Sequence, residues 1–136
     1  MTGAVINIVL KHMFSENIPI YLQIMDHVKQ DICSGRIAMG GKLPSVRDKA
    51  IELGVNPNTV RHAYQELESE GIIFTQRGMG TFVTEDSNKI DSVRNELAQR
   101  LVRHLIDGMT GLGFKSRQIL LLVDEYLSNL PDDEER

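Results

Sequence analysis

Pro44 and Pro57, with Gly54 between them, leave the middle of this chain few ways to fold. Proline fixes φ and lacks an N–H, so each can stand at or just before a helix start but not inside a helix. Leu43-Pro44 therefore precedes a helix, and Ser45 with Asp48 three residues on has the capping pattern that satisfies a helix's first N–H groups. Val46, Ala50 and Leu53 then share a face, and Gly54 ends the helix in a left-handed cap, with Val55 plugging the turn. Asn56 is placed to cap a second helix whose first residue is Pro57. From there Val60, Ala63, Tyr64 and Leu67 follow the i, i+3, i+4, i+7 rule of a helix packed on a core. Asn58, Arg61, His62 and Gln65 form an equally continuous polar stripe, and Gly71 stops the helix. Ile72, Ile73 and Phe74, then Thr81, Phe82 and Val83, are strand formers around Gln76-Arg77-Gly78-Met79-Gly80, where two glycines permit a reversal. Lys42 to Val83 is thus expected to form two short helices joined by a tight turn and followed by a β-hairpin, a winged helix-turn-helix. The second helix, apolar on one side, could be held by a core while its polar stripe offers donors and acceptors to base edges.

The flanks are expected to be helical, making the fold class mainly α with a small β-hairpin. Pro19 opens a helix in which Ile20, Ile24, Val28 and Ile32 recur every fourth residue, with Tyr21 and Met25 widening the stripe and Gly35 ending it. Gly40-Gly41 lead into Lys42. After Val83, Thr84 to Asn88 reads as a linker. Ile90, Val93, Leu97, Leu101 and Leu105 then repeat at three- and four-residue steps, broadened by Val102, Ile106 and Met109, until Gly108, Gly111 and Gly113 break the pattern. A last helix starts near Ser116, read as its N-cap, and carries Ile119, Leu122, Val123, Tyr126, Leu127 and Leu130 before Pro131. Two such helices are too small to make a core alone. They are expected to form a two-helix dimerisation unit, with Leu97, Leu101, Leu105, Ile119, Leu122, Val123 and Tyr126 meeting a second copy. The expected division is an unassigned arm at 1–13, a winged helix-turn-helix at 14–84, a helical dimerisation unit at 85–130, and an acidic tail at 131–136.

With 41% hydrophobic and 25% charged residues, the composition is that of a soluble globular protein. The apolar run around Ile8-Val9-Leu10 is far short of the about 20 residues a membrane span needs and lacks the flanks of a secretory signal. Cys33, the single cysteine, can form no internal disulfide, which fits a reducing cytoplasm and a buried structural thiol. A net charge of −4 argues mildly against nucleic acid when averaged over the chain. Sorted by position, Lys42, Arg47, Lys49, Arg61 and Arg77 lie on the elements expected to face a duplex, while Glu66, Glu68 and Glu70 lie toward the far end of the second helix. Phosphate feels the local field, which decays over about 8 Å at physiological salt. Enzyme readings find little support. His12, His27, His62 and His104 lack metal-ligand spacing, Arg77-Gly78-Met79-Gly80 is no phosphate loop, and neither a cofactor nor a metal is expected.

Leu43-Pro44-Ser45 with Arg47, Asn58-Thr59-Val60-Arg61 followed by Tyr64, Leu67 and Glu70-Gly71, and the wing Arg77-Gly78-Met79-Gly80-Thr81-Phe82-Val83 resemble the GntR family of bacterial transcription regulators. Upstream the likeness extends through Pro19-Ile20-Tyr21 and Ile32, and it covers roughly residues 17 to 84. With only two helices after the wing, the chain looks like the short YtrA-type subfamily, whose members are often linked to transporter genes. The resemblance implies a cytoplasmic homodimer that reads a short inverted repeat in double-stranded DNA and most often represses, with any small-molecule effector unknown. It implies DNA contacts for Arg61, matching the family's DNA-contacting arginine, and for Arg47. The other candidates are Lys42, Ser45, Asn56, Asn58, Thr59, His62, Gln65, Arg77 and Gly78. Plain alternatives stand beside them: capping for Asn56, a solvated helix arginine for Arg61, a bare turn for Gly78. Pro57 stands where relatives often have Ser or Arg, which removes one side-chain contact. A protein-interaction module built on the same winged fold is the alternative function.

Overall fold

The computed structural model describes residues 17–131, so the expectations for residues 1–13 and for the tail from position 132 lie outside the described residues. Five helices and one hairpin follow in the order α1 (Ile20–Cys33), α2 (Val46–Leu53), α3 (Pro57–Ser69), β1 (Ile73–Gln76), β2 (Gly80–Val83), α4 (Ser87–Gly111) and α5 (Ser116–Ser128). They divide into two compact units, one running to Asn95 and the other starting at Glu96.

In the first unit, α1 packs on α3 through Ile24, Met25, Val28 and Ile32, all buried. Ile20 does not join them; it is 46% exposed. At about 100° per residue, a strict four-residue repeat precesses by about 40° per step, so a row centred on Val28 and Ile32 has turned away from the core by Ile20. Two charged residues of α1 are buried but paired. Lys29 Nζ lies 3.2 Å from Glu70 Oε2, and Asp31 lies 3.2 Å from Arg36 Nη1 and 3.6 Å from His27 Nε2. Cys33 is half-buried rather than enclosed, and partial burial pushes its thiol pKa up.

The helix-turn-helix forms as its local chemistry directs. Ser45 Oγ accepts the Asp48 N–H at 3.1 Å, Gly54 adopts φ +67, and Asn56 Oδ1 accepts the Asn58 N–H at 2.8 Å with Pro57 in the first turn. Val60, Ala63 and Leu67 are fully buried. Tyr64 is buried too, and its hydroxyl donates to the Pro44 carbonyl at 2.9 Å, tying α3 to the entry of α2. That burial pushes the Tyr64 phenol pKa well up.

The strands pair antiparallel from Ile73↔Val83 to Gln76↔Gly80, and Met79 N–H donates to Gln76 O at 2.9 Å to close the turn. The approach to α2 adds to this sheet. Leu43 N–H donates to Thr81 O and Val83 N–H to Gly41 O, at 2.8 and 2.9 Å, with Lys42 opposite Phe82.

The stretch read as a linker is ordered. Thr84 Oγ1 accepts the Asp86 N–H, and Asp86 Oδ1 in turn accepts Asn88 and Lys89 N–H, so Asp86 starts α4. Ile90 and Val93 are buried, and Arg94 donates to the Cys33 carbonyl at 2.9 Å. The first turns of α4 therefore belong to the first unit's core, beyond the 84/85 boundary expected from composition.

In the second unit, Gly108 lies inside α4, which ends only at Gly111, with Gly113 at φ +92. One glycine costs a helix only about 1 kcal/mol. Ser116 is the first residue of α5 and not its cap; Lys115 holds the cap position, and its N–H donates to Gln118 Oε1 at 2.8 Å. Ile119 is buried. Leu105, Met109, Leu122, Val123, Tyr126 and Leu127 line an apolar groove of about 320 Å³.

Candidate nucleic-acid interface

Asn58, Arg61, His62 and Gln65 stand exposed along α3, opposite its buried apolar row. The helix start sets the positive end of the dipole beside Asn56, Asn58 and Thr59, a setting suited to phosphate, with the Asn58 N–H donating to Asn56 Oδ1 and the Thr59 N–H to the Asn56 carbonyl. Asn56 spends its side-chain oxygen on the cap and Thr59 is half-buried. Arg61 is pre-oriented: Nη1 donates to Asn58 Oδ1, one turn back toward the helix start. A guanidinium held this way keeps other donors for a bidentate contact.

His62 is more constrained than its place in the stripe suggested. Its ring stacks on Tyr21 of α1, with centroids 3.9 Å apart and planes 20° from parallel, and its Nε2 lies 3.7 Å from Glu66 Oε1. Tyr21, read from the sequence as widening the core stripe, is half-buried and covers one face of His62.

On α2, Arg47 is exposed, while the Ser45 hydroxyl is committed to the cap. Lys49 cannot face a duplex. It is 3% exposed and its Nζ lies 3.3 Å from Glu52 Oε1. Val46, Lys49, Ala50 and Leu53 in fact obey the i, i+3, i+4, i+7 rule, so the helix face carries the lysine inward.

At the wing, Arg77 and Gly78 are exposed at the turn, and Gly78 has φ +78, a conformation that favours glycine. Lys42 runs beside the wing's other glycine: a Cβ on Gly80 would stand 2.7 Å from Lys42 Cε, and Gly80 has φ +123. Glycine there leaves room for the lysine stem.

The three glutamates at the far end of α3 each have work that the sequence reading did not give them. Glu66 flanks His62, Glu68 Oε1 accepts the Thr75 N–H of β1 at 3.0 Å, and Glu70 pairs with Lys29. The wing is thereby pinned to the same helix that carries the polar stripe. Of the four histidines, His27 is half-buried beside Asp31; burial first, then the charge of Lys49, holds its pKa below the usual value. Among the described residues, no group of three His, Cys, Asp or Glu stands placed to hold a metal ion, and no helix is long and apolar enough to cross a membrane.

A model of the bacterial regulatory proteins of the gntR family matches residues 20–83, the span from α1 to the end of the wing. The uncharacterized HTH-type transcriptional regulator YhcF of Bacillus subtilis is 36% identical over 111 residues, covering 82% of this chain and 92% of that protein. This chain belongs to the GntR family. The HTH-type transcriptional repressor YtrA of the same organism is 42% identical over 90 residues, 62% of this chain and 69% of its own length. A GntR family transcriptional regulator from Listeria monocytogenes superposes with a TM-score of 0.75 at 39% identity, covering 82% of this chain and 98% of that one. The chain is accordingly a DNA-binding GntR transcription regulator with a winged helix-turn-helix, and not an enzyme.

Proposed function

We infer that this GntR regulator acts in the cytoplasm as a homodimeric repressor, reading a short inverted repeat in double-stranded DNA with transporter genes among its targets. The observation that carries the reading is the exposed stripe Asn58, Arg61, His62 and Gln65 on a helix whose other face is locked in the core. Arg61 is assigned a bidentate contact to guanine O6 and N7, Asn58 and Thr59 the phosphate at the helix start, and Arg47 a phosphate or base beside it. Lys42, Arg77 and the bare backbone at Gly78 are assigned the flanking groove. Ser45, Asn56, His62 and Gln65 complete the surface, the first two mainly as caps.

The second unit supports pairing. Leu101, Leu122 and Tyr126 are exposed in the single chain, and Leu97, Leu105, Ile119 and Val123 adjoin them on the same two helices. An apolar surface of this extent is stable in water when a second copy covers it. Two-fold pairing would present two α3 helices to half-sites about 34 to 36 Å apart. Repression is the mode of the YtrA relative and is the mode proposed here; a small-molecule effector that alters the spacing of the two heads would supply release.

Selection of bound duplexes from a random pool tests the reading. An enriched palindrome is expected, bound with affinity that falls steeply as salt rises. Arg61→Ala should weaken binding to that site by about 1 to 3 kcal/mol and relax the preference at one base pair. A pool that stays unenriched, or an Arg61→Ala protein that binds as well as wild type, would overturn it.

A further inference from the structure

Tyr21 sits on α1, outside the helix-turn-helix, yet its ring lies 3.9 Å from that of His62 and nearly parallel to it. His62 projects from one flank of the exposed polar stripe of α3, beside Asn58 and Gln65 on the helix surface. Left alone, an exposed histidine on a helix samples several rotamers and loses that freedom on binding. Here the choice is narrowed from two sides. Tyr21 covers one face of the imidazole, and Glu66 stands 3.7 Å from Nε2 toward the helix end. With one face covered and Nε2 turned to the carboxylate, the ring offers a duplex its outer face and the edge that carries Nδ1, and of these only the edge can hydrogen-bond. An edge contact is a hydrogen bond and selects among base edges or phosphates; a face contact would stack and select little.

We propose that Tyr21 is a positioning residue for DNA recognition: by stacking on His62 it holds the imidazole edge-on to the major groove, so that His62 discriminates at one base pair of each half-site. The inference rests on the proposed reading that α3 enters the groove. Tyr21 acts through its ring and its hydroxyl is not required.

The test measures binding to the duplex recovered by selection, and to that duplex changed at each base pair in turn, by fluorescence anisotropy with the full chain. Tyr21→Phe keeps the ring and should bind within two-fold of wild type. Tyr21→Leu should bind about five-fold more weakly, the range a stacked aromatic pair supports, and should lose discrimination at the same base pair as His62→Ala. In the His62→Ala background, Tyr21→Leu should change nothing further. Tyr21→Gln serves as a second ring-less variant should the leucine protein melt early, since a half-buried site accepts a polar chain. The inference is overturned by a ring-less variant that binds like wild type, by an equal loss in the His62→Ala background, or by Tyr21→Phe behaving like Tyr21→Leu. Arg61→Ala separates the levels: if it too leaves binding unchanged, the reading of α3 as the recognition helix has failed; if it weakens binding while the Tyr21 variants do not matter, only the positioning role has failed.

Discussion

The two units carry apolar stripes of the same helical period and use them in opposite ways. In the first, Ile24, Val28, Val60, Leu67, Ile72 and Val83 are almost wholly withdrawn from water. In the second, Ile119 is buried while Leu101 is 71% exposed, Tyr126 73% and Leu127 60%. Periodicity reports that a helix has an apolar face. It does not report whether the covering surface comes from the same chain. The head has three helices and a sheet to converge on one core, whereas two helices offer each other a single seam and leave the rest uncovered. The same leucine should therefore matter in different currencies in the two places.

Leu67→Ala breaks the head's core and should cost about 2 to 5 kcal/mol of folding stability, seen as an early, concentration-independent loss in the denaturation midpoint. Leu101→Asp, on the exposed row of α4, should leave the head folded and instead weaken self-association by at least about ten-fold, because a carboxylate would have to be buried in an apolar seam. Sedimentation velocity across a dilution series reads that shift, and a melting temperature that depends on concentration for wild type but not for the variant would confirm it. Should Leu101→Asp leave association untouched, the second unit's exposed face is not where copies meet.

Much of the head was legible because its signals are local. A serine, an asparagine and two prolines placed both helix starts to the residue, and Gly54 placed the turn, since each works through bonds reaching only two to four positions along the chain. Other expectations fail, each for its own physical reason. Lys49 was assigned to the surface by its charge although its spacing from Val46 and Leu53 put it on the buried face, so the pattern held the answer and residue type overrode it. Gly108 was read as a helix break although a single glycine is a small cost within a long helix. Tyr21 was read as core, and nothing in its neighbourhood could have named His62 as its partner, because the contact joins two helices that meet only through the tertiary fold. The extent of the first unit past the wing was hidden for the same reason: Ile90 and Val93 continue a stripe seamlessly, and only packing separates the residues that face the head from those that follow.

Within the head, the contrast between buried and exposed charge gives smaller effects. His27 has its pKa below 6.5, first through burial and then through Lys49, with Asp31 and Glu52 opposing and Arg36 adding slightly to the depression. A histidine depressed in the native state binds fewer protons there than in the unfolded chain. Above about pH 6.5 both states are neutral at this site and it contributes nothing. As pH falls through 6.5 the unfolded chain is protonated first, so stability declines until the native pKa is passed and then levels. His27→Gln should flatten that part of the decline in a pH series of denaturant melts; an unchanged slope would show that carboxylates alone produce it.

Lys49→Met is the finest test, because two of its expected results are near zero. The ammonium is almost fully buried while its partner Glu52 is 44% exposed at the side chain. Removing one member of a buried pair is costly when the other is left enclosed, but this carboxylate can turn to water, and the methionine keeps the stem's packing. Stability at neutral pH should stay within about 1 kcal/mol of wild type, and affinity for the selected duplex within about two-fold, since no phosphate contact is lost. A large fall in affinity would return Lys49 to the DNA-facing set. One effect should still be visible. Lys49 is the second contributor to the low His27 pKa, so its removal should raise that pKa, narrow the gap from the unfolded value and shrink the acid-side loss of stability. If the acid-side slope of Lys49→Met matches wild type while His27→Gln flattens it, burial alone sets the histidine, and the charge of Lys49 is felt only by Glu52.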